Sequence, residues 1–573
     1  MRRFTPKKFL ALLSPLDGDA NDWLAGAAQS VEFLRANARA DEVVIYASAP
    51  MVLIVGALAP HSNVTPADAA DLQHLELFTD ASWKIQKSWS NDGHRVYLEG
   101  PFEGSRSKSL SGGEPLLYRR SWAGVHKTRA PIEVSEKLVH CLDVYYLPER
   151  EAYCRLDKNG DIEDVIRLLN GPVPGADEAW EVVTMLRHDL DAYMALADMA
   201  LVLKFDFTRY MPSAFAGWVD QLSFNREETD LSFHGGGGPN ASYVNGAMVI
   251  RSQTTVADLE EDWRRELIGD ENKQYAVFKI FDRKNDREVE TSCSPQHIVS
   301  YFEKSELPWH ISPAFFRPEV LQRFKADPEK YTLEDRSITC RGAWHLKTYD
   351  INEAGQVHTY IGYLADLPYA EQMYWATFNE WPKAPISERA QKSDIQGEWQ
   401  TDYDPLRSLK TKVRSLDARP PQWWSIRGDE VVDAVLAPAT DSPKEWGDEI
   451  LALDQLIVEG FVVSPLRAIA EGLGRKPNGS WGSLRVLGEI LVARGRTVDQ
   501  AKQLMGPLAK LHALRSELRG HAATAKKAIA IREARTSHGN FRAHFAHLAT
   551  ECDQALDEVL KVLQAQQSTG TPS

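Results

Sequence analysis

The stretch LHALRSELRGH, residues 511–521, holds an arginine and a histidine six positions apart at the end of an amphipathic helical pattern. Leu504, Leu508, Leu511 and Leu518 recur at helical spacing. Arg515 falls seven residues after Leu508 and four after Leu511, so it points toward the apolar face of its helix. An arginine there must find an anion, reach solvent along its stem, or sit at an interface. Gly520 is a helix stop that places His521 at the C-terminal edge, where the two side chains can converge on one cleft. Such a pair suits metal-independent cleavage of RNA through its 2′-hydroxyl: Arg515 would stabilise charge on the phosphate and His521 would move a proton. The structural alternative pairs Arg515 locally and sets His521 against the helix terminus. The same spacing also occurs at Arg532/His538 and Arg120/His126, and a shorter one at Arg542/His547. Arg515 stands out because it breaks an apolar pattern.

The elements that would carry this pair are helical. From about Ser442 onward, start and stop signals follow one another: Ser464-Pro465 reads as a helix start, Thr497 to Gln500 (TVDQ) fits a capping box, and Gly495 separates two helices. In the last helix Phe541, Phe545, Leu548, Cys552, Ala555, Val559 and Val562 make one apolar stripe. These features predict a helical bundle over 442–573.

The arginine-to-histidine spacing on a bundle, preceded by the paired-helix segment SPLRAIAEGLGRKPNGSWGSLRVLGEIL (Ser464 to Leu491), resembles a bacterial HEPN-type domain. The resemblance covers the last fifth to quarter of the chain. It implies a metal-independent endoribonuclease, dimeric through the bundle and belonging to a phage-defence or toxin system, with Arg515 and His521 as its catalytic residues. Some members of that family have lost cleavage and only bind. The residue after the arginine, usually Asn, Asp or His, is Ser516 here. No cofactor or metal is implied.

Charge points the same way. The chain carries a formal net charge of −15, yet the segment from Arg475 to Arg542 has fourteen Lys or Arg against four Asp or Glu. Arg519, Lys526 and Lys527 would supply phosphate contacts, with RNA as the anionic partner. A solvated face, or a surface docked on the acidic remainder, is the alternative. In that second reading the bundle is a noncatalytic scaffold that dimerises or binds a partner.

Residues 1–425 read as a large mixed α+β body, with 426–441 as a linker after Pro420 and Pro421. The fold class expected for the whole is therefore α+β, a mixed body followed by an all-α bundle. The apolar run from Val43 to Pro60 has near-membrane length, but Pro50 interrupts it and β-branched residues crowd it, which predicts two buried strands. Asn159-Gly160 and Ala354-Gly355 mark hairpins. Thr184 to Phe207 reads as helix turning into strand, and HGGGGPN (His234 to Asn240) as a flexible loop.

Five scattered cysteines without a C-x-x-C pair, and an N-terminal apolar run too short for a signal peptide, place the expected protein in the cytoplasm, away from membranes. HGGGG is similar to an esterase oxyanion loop, but the chain has no G-x-S-x-G elbow. Asp157 to Asp161 begins like a calcium loop but lacks its glycine and its glutamate, so the hairpin reading is preferred. Cys293 and His297 are too few ligands for a metal site. The aromatic run from Pro368 to Pro382 could stack bases; its helical spacing favours core packing. Arg317, between Phe316 and Pro318, is a candidate buried ion-pair site.

Overall fold

The computed structural model describes all residues except 1, 15–19, 65–82, 104–107, 120–130, 176, 211–221, 239–240, 269–272, 399–402, 520–523 and 565–573. The chain is α+β, as its patterns require: sheets dominate the N-terminal part and helices the C-terminal part. No helix among the described residues is long and apolar enough to cross a membrane. Two compact units divide it, Met1–Asp157 with Asp161–Lys273, and Lys158–Gly160 with Gln274–Ser573.

In the first unit, the Val43 to Pro60 run forms the strands Glu42–Ala49 and Val52–Pro60, paired antiparallel with Ala49 opposite Val52. Met51 takes a left-handed φ of 64° in the connection. Both strands are almost wholly buried, because they lie in the middle of one large antiparallel sheet. On one side of Val52–Pro60 come Met199–Tyr210, Ala241–Ile250, Leu231–Gly238 and Leu222–Glu228. On the other side of Glu42–Ala49 come Ala179–Leu186, Ile162–Pro172, Ala152–Leu156 and Tyr145–Leu147. The helix Ala20–Asn37 packs on the sheet. Its last residue, Asn37, exchanges two hydrogen bonds with the backbone of Val44, at 2.7 and 3.0 Å, beside an irregularity in the strand register between Val44 and Tyr46. Thr184 to Phe207 turns from helix (Arg187–Ala197) to strand (Met199–Tyr210) as expected, but its first three residues close the strand Ala179–Leu186 and do not belong to the helix.

The glycine run is not a loop. His234 to Gly238 belong to the strand Leu231–Gly238, paired on both edges, while 239–240 lie outside the described residues. The rings of Phe224 and Tyr243 lie across Gly235 and Gly236 where a Cβ would sit. Aromatic cover of bare backbone, not turn chemistry, is what the glycines permit.

The second unit holds a smaller antiparallel sheet with the strand order Arg287–Ser292, Val277–Asp282, Pro313–Phe316, Val357–Tyr360, Asp350–Ile351. The hairpin at Gly355 (φ 76°) is as expected. Trp375, from the aromatic run, is fully buried against Phe316 and Phe324, which makes that helix core. Arg317 makes no ion pair within the described residues; it donates to the carbonyl of Thr377 and stacks on Phe378.

The helices from Pro405 onward share one core, from Leu409 to Leu563. Residues 426–441 therefore lie inside the second compact unit, not between units. The reason is local: Trp423 and Trp424, just after the two prolines, are buried against Phe461. Lys325 further bridges Glu445 at 2.5 Å and Glu449 at 2.9 Å, tying the short helix Gln322–Ala326 to the helix Pro443–Ile457.

Candidate functional site

The helix Val498–Arg519 begins with the expected reciprocal cap: Thr497 N–H donates to the Gln500 side chain at 3.0 Å, and Gln500 N–H to the Thr497 hydroxyl at 3.2 Å. Leu508, Leu511 and Leu518 are buried, and Leu504 is partly buried. This face packs against the helix Pro443–Ile457. Ser442 caps that helix, accepting from the Lys444 N–H, and Pro443 fills its first position.

Arg515 therefore meets a neighbouring helix. Its Nη1 donates to Oδ2 of Asp454 at 3.0 Å, and its Nη2 pairs with Oε1 of Glu459 at 2.7 Å. Asp454 is fully buried, whereas the Arg515 side chain is 30% exposed. His512, one turn earlier on the same face, places Nδ1 3.1 Å from the other carboxylate oxygen of Asp454. Burial raises the Asp454 carboxyl above its usual range, opposed by His512 and Arg515. Both carboxylates thus occupy the guanidinium. A phosphate reaching Arg515 would have to displace one of them or approach against their charge.

His521 and Gly520 lie outside the described residues, as does the side chain of Arg519. Lys526 and Lys527 are exposed on the helix Thr524–His538, together with Arg532. None of these three makes an ion pair with another described residue, unlike Arg535, which pairs with Asp441 at 3.1 Å.

Two further polar clusters escaped the sequence patterns. His538, His544 and His547 meet where the last two helices adjoin, with ring centroids 5.1 Å apart for His538/His544 and 4.8 Å for His538/His547. His544 is buried edge-on against Trp446, and its Nδ1 has no hydrogen-bond partner among the described residues. Burial, then the nearby Lys510 and the two other histidines, push its pKa down to about 4. Among the described residues no group of three His, Cys, Asp or Glu could hold a metal ion. The second cluster lies at the smaller sheet. Arg389 holds Asp350 in a bidentate pair, Nε donating to Oδ2 at 3.0 Å and Nη2 to Oδ1 at 2.8 Å. Although burial works against ionisation, those contacts hold the Asp350 carboxyl at about 2. Beside it, buried His358 is pushed down to about 4 by burial, and its Nε2 accepts from the Ser387 N–H at 3.0 Å. The i, i+3 spacing of His544 and His547 and the hairpin that sets Asp350 opposite His358 are local signals; Arg389, Ser387 and Trp446 come from distant elements.

Comparison of the chain with protein-family models, with curated proteins and with solved structures gives no match.

Proposed function

We propose that the helical region is a noncatalytic docking module for a polyanion, with RNA as the polyanion to test. The observation behind this reading is the double carboxylate grip on Arg515 by Asp454 and Glu459, which gives the arginine a structural task. Lys526, Lys527 and Arg532 offer cationic charge at the surface instead. Exposed cations on a helix attract a phosphate backbone without needing sequence recognition.

The endoribonuclease reading, with Arg515 and His521 as catalytic residues, keeps one observation on its side. The guanidinium is partly exposed next to His512, so it is not sealed from a ligand. One experiment separates the two readings. Labelled RNA is incubated with the full chain in EDTA, and both retention and product ends are measured for the wild type, Arg515→Ala/His521→Ala and Lys526→Glu/Lys527→Glu. Docking predicts intact RNA throughout, with binding lost only in the lysine variant. RNA cut to 2′,3′-cyclic phosphate ends by the wild type, and not by Arg515→Ala/His521→Ala, would replace docking with cleavage.

A further inference from the structure

Among the described residues, the largest display of exposed apolar side chains lies far in sequence from the C-terminal helices, on the hairpin Lys84–Ser90 and Gly93–Glu99. Its register sets Ile85 opposite Leu98, Lys87 opposite Val96 and Trp89 opposite His94. Because side chains alternate across a strand, these six share one face. The other face is more polar: it carries the pairs Lys84/Glu99 and Ser88/Arg95, with Gln86 opposite Tyr97, the Gln86 side chain donating to Glu99 at 2.5 Å. Trp83 extends the apolar face at the base, where a Cβ on Gly100 would touch its indole. The hairpin therefore has the alternation of a half-buried sheet. Yet Trp83, Ile85, Trp89, Val96 and Leu98 are 65–76% exposed.

A two-stranded hairpin is marginal in water unless its apolar face is covered. We infer that a second copy of this chain covers it, face to face about a two-fold axis near Val96. Three features favour that occupant. The exposed apolar area of these five side chains is on the order of 700 Å², close to the roughly 800 Å² that each partner contributes to a standard interface. The Lys87/Val96 row has one cross-strand row on either side, Ile85/Leu98 toward the base and Trp89/His94 at the tip. A two-fold rotation lays the tip indole of each copy over the Ile85/Leu98 pair of the other. Lys87, near the middle, can run its stem along the partner and hold its ammonium in water at the rim.

A membrane surface is the less favourable occupant. Both hairpin edges are without a strand partner among the described residues, and unpaired backbone N–H and C=O groups are costly in hydrocarbon. Against a second copy, those edges stay at the hydrated rim. The helical region offers little in comparison: beyond residue 442 its only large apolar side chains exposed among the described residues are Val498 and Ile529. The inference is independent of polyanion docking.

Sedimentation velocity of the full chain across a concentration series, with its Val96→Glu and Leu98→Glu variants, tests this. Both positions are exposed, so the folded chain should tolerate the change, and circular dichroism checks that it does. The expected result is a wild-type dimer whose dissociation constant rises at least about tenfold in either variant. Arg95→Glu, on the polar face, should leave it unchanged. Val96→Cys should give an oxidised copy-to-copy disulfide that Arg95→Cys does not. A monomeric wild type, or a dimer indifferent to Val96→Glu, overturns the inference. So does a monomer that binds anionic phospholipid vesicles through Trp89 and Val96, which would assign the face to a membrane.

Discussion

The guanidinium of Arg515 and the carboxylate of Asp454 meet at 3.0 Å across two packed helices, with the carboxylate wholly out of solvent. A buried carboxylate that loses its cation keeps its desolvation penalty and forfeits the attraction. Arg515→Ala should therefore cost about 2 kcal/mol or more in urea unfolding, less than a fully buried pair because the arginine is partly exposed. Replacing both residues, as in Arg515→Met/Asp454→Leu, should recover most of that loss. Equal stability of wild type and Arg515→Ala would remove the structural role assigned to the pair.

Lys526 and Lys527 give a salt-dependent prediction. For a single-stranded RNA, each phosphate neutralised contributes about 0.7 to the slope of log affinity against log salt. Lys526→Gln/Lys527→Gln should flatten that slope by about 1.4, measured by fluorescence anisotropy from low to moderate salt. A double variant with the wild-type slope would place the contacts elsewhere.

Acid should weaken the second unit through two histidines. His544 and His358 are held near a pKa of about 4 in the folded chain, below the ~6.5 of an unfolded histidine. Between those values the unfolded chain binds protons that the folded chain refuses, so stability rises with pH there. The contribution is complete above about pH 6.5 and is lost progressively toward pH 4, by about 3 kcal/mol for each histidine. His544→Phe, which keeps a ring against Trp446, should flatten the melting temperature over this range. An unchanged pH profile in that variant would sink the assignment.

Gly246 faces the backbone of the neighbouring strand. A Cβ there would collide with the Ser232 carbonyl oxygen and the Phe233 Cα, neither of which is the end of a flexible side chain. Gly246→Ala should destabilise the chain by about 3 kcal/mol in thermal unfolding. Gly355→Ala, at a left-handed turn with open space around it, should cost about 1 kcal/mol through backbone strain alone. Equal melting temperatures for the two variants would contradict the close strand approach.

What the sequence revealed was local. The cap at Thr497, the buried strands before Pro60 and the stripe of the last helix each follow from residues within a few positions of one another. The misreadings arose where a distant residue decides. Four glycines in a row signal a turn until the rings of Phe224 and Tyr243 are laid across them. Pro420 and Pro421 suggest a linker until Phe461 draws the adjacent tryptophans into the core. At the candidate site, the pattern singled out Arg515 as anomalous but could not supply Asp454 and Glu459, which lie on other elements.

The strand order of the large sheet also constrains how the chain reaches its fold. At its centre Pro60 pairs with Met199, and Glu42 with Leu186. The first apolar hairpin thus leaves the ribosome long before either flanking strand exists. Such non-local pairing slows folding, because a long loop must close before its contacts repay the lost entropy. During that interval two strands of nearly unbroken hydrophobic sequence have open edges, which makes synthesis the period of greatest exposure to aggregation and to chaperone capture.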